Sequence, residues 1–73
     1  MVRQWTAIIQ PEASGFVSHC PELDIASQGD TAEQARENLR EALDLFFECA
    51  SPSEIARRLK ADVTVTQVET TVG

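Results

Sequence analysis

The sequence predicts an α+β fold, a two-layer sandwich with the element order β-β-β-α-(α)-β. Three observations carry that expectation. Apolar residues alternate at period two near the N-terminus, a single apolar stripe recurs at helical spacing in the middle, and a β-branched run follows it. One helix stripe set against one sheet face makes two layers.

Residues 2–10 read as the first strand, with Trp5, Ala7 and Ile9 on a wholly apolar face expected to meet the core. Pro11-Glu12-Ala13-Ser14-Gly15 reads as a turn, with proline at its start and glycine at its end. Residues 16–20 form a second strand, antiparallel because the connection is of hairpin length. The pattern allows either Phe16 or Val17 to point inward. Pro21 has no N–H for a ladder and ends the strand. Residues 25–27 suit a brief third strand, and Gln28-Gly29-Asp30 turns into a helix.

Thr31 and Gln34 make a capping box for that helix, which runs to about Cys49. Ala35, Leu39, Ala42, Leu43, Phe46 and Phe47 form its apolar stripe. Glu33–Arg36 and Glu37–Arg40 are favourable i,i+3 pairs, while Glu33–Glu37, Glu37–Glu41 and Asp44–Glu48 repel at i,i+4. Ser51, Pro52 and Glu54 occupy N-cap, N1 and N3 of a short second helix ending near Lys60. Its Ile55 and Leu59 are apolar, and Arg57, Arg58 and Lys60 suit the negative end of the helix dipole. Residues 62–69 read as the last strand. Reached by a helical crossover, it fits beside the first strand and parallel to it, for a sheet order of 3-2-1-4. Both edges of that sheet stay open unless a second subunit covers them.

The 73 residues and 8.0 kDa bound the chain to one domain, residues 1–73, near the lower size limit for folding alone. A thin core and open edges favour a homo-oligomer, a dimer or tetramer. Twelve acids against six bases leave a net charge of -6, which disfavours a nucleic-acid surface and suits a basic partner. No apolar run approaches the roughly 20 residues that span a bilayer, and the first residues lack the apolar region of a secretory signal. The expectation is a cytoplasmic protein without a membrane partner. There, Cys20 and Cys49 stay reduced and serve as small apolar residues. With His19 they fall short of a four-ligand zinc site, so no cofactor or metal is expected. His19 and Cys20 are adjacent on a strand and point to opposite faces, which excludes a catalytic pair.

The segments Trp5-Thr6-Ala7-Ile8-Ile9, Gly15-Phe16-Val17-Ser18 and Cys20-Pro21-Glu22-Leu23 precede Ser27-Gln28-Gly29-Asp30-Thr31 and an acidic helix. In that order they resemble the HicB antitoxin family. The Cys-Pro-Glu-Leu step with Ser-Gln-Gly-Asp-Thr is the most specific part, and the likeness covers most of the chain. It implies a partial RNase-H-like fold. It also implies an antitoxin of a type II toxin–antitoxin pair, binding and masking a HicA-like toxin, a small basic ribonuclease that degrades mRNA. Leu23-Asp24-Ile25 replaces the Leu-Pro-Gly step of many members, so the local turn is expected to differ. Larger members add an operator-binding domain; no DNA-binding domain is expected within this chain.

The RNase-H-like likeness raises the question of catalysis. Metal-assisted phosphodiester cleavage needs carboxylates converging on a cation, and the RNase-H-like likeness implies one of them within the first strand. Residues 5–9 supply none, Glu37 and Glu41 lie opposite the apolar stripe, Asp62 stands alone, and Gly29 is isolated rather than part of a phosphate loop. Ser18 lacks a neighbouring base and acid. No enzymatic activity is expected. Glu22, Asp24, Asp30, Glu33 and Glu37 are the candidate toxin-binding residues. The alternative is a stand-alone oligomeric scaffold or regulatory protein without a cognate toxin.

Overall fold

A computed structural model describes residues 3–59 and 64–73. Its elements are β1 (Ile8–Glu12), β2 (Gly15–Cys20), β3 (Ile25–Gly29), α1 (Ala32–Cys49) and α2 (Pro52–Leu59). The strands form one antiparallel sheet in the order β1-β2-β3. The α+β class therefore holds, with a three-stranded sheet and two helices.

The hairpin is tighter than the sequence suggests. Glu12 pairs with Gly15, so only Ala13 and Ser14 remain in the loop. Pro11 lies inside β1, which an edge strand tolerates because its missing N–H need not serve a second neighbour. Ala13 takes up the turn's positive φ of 52°, a conformation that normally favours glycine. At its other end, β1 begins at Ile8 rather than near residue 2. Ile8 sits opposite His19, and β2 ends one residue later at Cys20, so residues 3–7 have no β2 partner. Trp5 still packs on the core, but Ala7 is exposed instead of facing it. Val2 lies outside the described residues.

Alternation along β2 settles which residues face the helix. Ser18 and Cys20 are buried, and Phe16 shares their face, so Val17 and His19 point to the opposite side. β3 runs two residues further than expected, because Gln28 and Gly29 pair with Val17 and Phe16. Gly29 is the point of closest approach between sheet and helix. A Cβ there would lie 2.6 Å from the Ala35 amide nitrogen and 2.8 Å from the Gln34 carbonyl carbon. Only a residue without a side chain lets α1 sit this low on β3.

The Thr31 hydroxyl accepts the Gln34 N–H at 3.0 Å and caps α1. The reciprocal bond of the box shifts by one residue, since the Gln34 side chain accepts from the Asp30 N–H at 2.8 Å. Arg36 pairs with Glu37 at 3.0 Å in place of Glu33, and Arg40 bridges Glu37 and Asp44. Ser51 caps α2 by accepting the Glu54 N–H at 3.2 Å. Arg58 donates to the Leu23 carbonyl at 2.8 Å and lies over the Phe46 ring, which ties α2 to the β2–β3 turn. Of the apolar pair of α2, Leu59 is 40% exposed, and Lys60 lies outside the described residues.

The core is small. Cys20, Leu23, Ala35 and Leu39 are buried, and Trp5, Ile25, Leu43, Phe46 and Phe47 pack around them half-covered. The strand expected over residues 62–69 is not formed across residues 64–69, which carry no regular structure. Among the described residues no strand pairs with them. Residues 62 and 63 fall outside the described residues.

Candidate functional site

The five candidate acids divide into two groups. Glu22 and Asp24 lie in the β2–β3 turn; Asp30, Glu33 and Glu37 lie at the N-terminal half of α1. β3 lies between them, and the six steps from Asp24 to Asp30 span about 20 Å of extended chain, so they do not form one patch.

Glu22 is a structural clamp. Its carboxylate accepts the Thr6 hydroxyl at 2.7 Å and the Thr6 N–H at 3.0 Å, with the Cys20 thiol at 3.5 Å. Partial burial pushes its pKa up, but the Thr6 hydrogen bonds outweigh this and hold the carboxyl below its ordinary value. The same geometry, dominated by burial, raises the Cys20 thiol and keeps it neutral. Glu22 therefore fixes residues 3–7 against the β2–β3 turn and has little acceptor capacity left for a partner. Its neighbour Asp24 is different. Its side chain is 87% exposed, 3.0 Å from His19 Nε2, and its backbone turns at φ 53°, which aspartate tolerates. This left-handed residue makes the turn where a Pro-Gly step was absent.

At the other end, Asp30 and Glu33 are exposed, and Glu37 is partly covered and engaged by Arg36 and Arg40. Asp30 lines a hollow of about 670 Å³ between the β1–β2 hairpin and the start of α1. Glu12 is the other acid in its wall, and no basic residue lines it. Gln34 and Asn38 close its floor, with Asn38 donating to the Gln28 carbonyl at 2.7 Å. Sequence reasoning passed over Glu12 because it was placed within the turn. Its place at the end of a strand, one hairpin loop from the helix start, was the available signal.

Two other hollows were also missed. Trp5, Leu43, Phe47 and Ile55 line one of about 610 Å³, together with the charged Arg3, Arg40 and Asp44. Trp5 and Phe47 stack there with centroids 5.7 Å apart. Ile25, Ala42, Leu45 and Cys49 line the other. Leu45 is 60% exposed, and Cys49 is exposed rather than a core residue because it ends α1 beyond the buried stripe. A second helical row, Ala42, Leu45 and Cys49 at i, i+3 and i+7, was the signal for this face.

The remaining chemistry-bearing side chains are spent on structure. The Ser18 hydroxyl is buried and donates to the Ala35 carbonyl at 2.7 Å, where no substrate reaches it. His19 and Cys20 diverge to opposite sheet faces as the alternation requires. Among the described residues, no three histidine, cysteine, aspartate or glutamate side chains gather in a way that could hold a metal ion. No helix among them is long and apolar enough to cross a membrane. No protein-family model, curated protein or solved structure matches the chain.

Proposed function

We propose that this chain is the toxin-binding unit of an antitoxin resembling the HicB family, and that it masks a small basic HicA-like ribonuclease without catalysing a reaction itself. The observation that carries the reading is the hollow walled by Glu12 and Asp30. In a chain of net charge -6 it is a concave surface with acids and no base in its lining. An oriented acidic wall attracts a basic partner and speeds encounter. Further support comes from the residues that bear the resemblance, since Cys20 to Thr31 build the β2–β3 turn, β3 and the cap of α1 as one continuous unit. In this reading Asp30 and Glu33 meet the toxin, Glu37 lies at the margin, and Glu22 and Asp24 hold the opposite end. The sheet is completed in the order 3-2-1-4 by residues 64–69, in a partial RNase-H-like arrangement.

Co-expression with a small basic HicA-like ribonuclease, the product of the adjacent open reading frame where that is one, tests this. The intact chain restores growth and co-purifies with the toxin, and Glu12→Lys with Asp30→Lys abolishes both. Failure of the intact chain to rescue or co-purify overturns the reading and leaves an oligomeric scaffold without a toxin as the alternative.

A further inference from the structure

We infer that residues 64–72 of one chain cross to a second copy and pair as a strand with the outer edge of its residues 3–9, the run that leads into β1, covering the Trp5 hollow. This rests on the sheet order proposed above and not on the antitoxin reading.

Three features of the chain lead there. First, residues 64–73 are all exposed, and among the described residues no hydrogen bond ties them to the rest of the chain. The radius of gyration is 14.1 Å, against roughly 11 Å for a compact chain of this length. Second, the segment is built as a strand. Thr64, Thr66, Val68, Thr70 and Val72 put an unbroken β-branched series on one face, with no proline or lysine to blunt pairing.

Third, there is a matching place for it. β1 pairs only with β2, so its other side is an open edge. Pro11 removes a donor from the upper part of that edge, which leaves the stretch from Arg3 to Ile9 as the part to pair. Trp5 lies in that stretch and lines a hollow with Leu43, Phe47 and Ile55, beside the charged side chains of Arg3, Arg40 and Asp44. In that lining Arg40 is paired with Asp44 at 2.9 Å, which leaves Arg3, 5.0 Å from the Trp5 ring, as the base for Glu69, the only charged side chain in 64–73. A single chain leaves both the edge and the segment unpaired. Reciprocal exchange about a two-fold axis satisfies both at once, with one valine of each segment beside the partner's Trp5 indole.

Sedimentation velocity of the full chain at micromolar concentration, with isotope-filtered NMR on a mixed labelled and unlabelled sample, tests the inference. The expected result is a dimer with contacts between a valine methyl of residues 64–72 and the Trp5 indole of the other chain. Thr66→Pro weakens the dimer at least tenfold while the helical circular dichroism is kept. If that variant loses its helices, Val68→Asp is read in its place with the same expectation. A monomeric full chain overturns the inference, including one that pairs the segment only within itself or only on adding a basic ribonuclease. A dimer that survives both substitutions, or valine–Trp5 contacts confined to one chain, overturns it as well. Toxin rescue is scored separately, so a failed exchange and a failed antitoxin reading give different results.

Discussion

At the centre of the sheet the chain meets its own needs. Ser18 answers the Ala35 carbonyl, Gly29 admits α1, and Cys20, Leu23 and Leu39 close the interior with no buried side-chain polar atom left unpaired among the described residues. Along β1 and the aromatic end of α1 the chain does not. Trp5, Leu43 and Phe47 are only half-covered, Leu45 is exposed, and residues 64–73 touch nothing that buries them. The same sequence thus makes a finished centre and an unfinished flank. The centre specifies the fold; the flank is where a second molecule has something to gain by docking.

The contrast can be broken most forcefully at Leu39. Leu39→Ala removes a side chain that is 2% exposed and should cost about 3 kcal/mol, lowering the melting temperature by roughly 15 °C. The matched change on the flank, Leu45→Ala, should stay within about 0.5 kcal/mol in the monomer, since that side chain is mostly in water already. Equal losses in thermal melts would erase the distinction between the two regions. Gly29→Ala comes next. Its Cβ meets backbone at 2.6 Å, so α1 must shift, at about 2 kcal/mol in chemical denaturation.

Glu22 marks the seam between centre and flank, and its substitution sharpens the comparison by pH. The folded carboxyl is held below its ordinary value, so its contribution is present above the unfolded pKa near 4.5 and is lost as pH falls through the folded value. Glu22→Gln should cost about 1 kcal/mol at neutral pH, and the deficit relative to the parent should shrink as the solution is acidified below that range. A deficit constant with pH would mean that the charge on Glu22 does not clamp Thr6. The smallest effect is a gain. Ala13→Gly relieves a left-handed alanine in the hairpin and should stabilise by about 0.5 kcal/mol after the greater freedom of glycine in the unfolded chain is counted.

Much of the centre was legible in the sequence because local rules set it. The caps at Thr31 and Ser51, the stop at Pro21 and the stripe through Ala35 and Leu39 each have a short-range physical cause, and each stands in the structure. The inward choice at Phe16 needed the β2–β3 register, which periodicity alone does not contain. Pro11 within β1 and Ala13 at positive φ ran against residue preference, because the pairing of Glu12 with Gly15 dominates both. The candidate site was half legible. Asp30 and Glu33 are where a partner can reach them, but Glu22 turned inward to Thr6, a contact sixteen positions away that no local pattern announces. The strand expected over residues 62–69 was read from β-branched composition, but composition supplies no pairing partner, and residues 64–69 carry no regular structure.

The central claim is that an acidic, non-catalytic surface on this chain silences a basic ribonuclease. It is tested most directly by measuring mRNA cleavage by a purified HicA-like ribonuclease that is a candidate partner while the intact chain is titrated in. Cleavage should fall to background near one chain per toxin, and Glu12→Lys with Asp30→Lys should leave it running. Undiminished cleavage at a large excess of the intact chain would contradict the account.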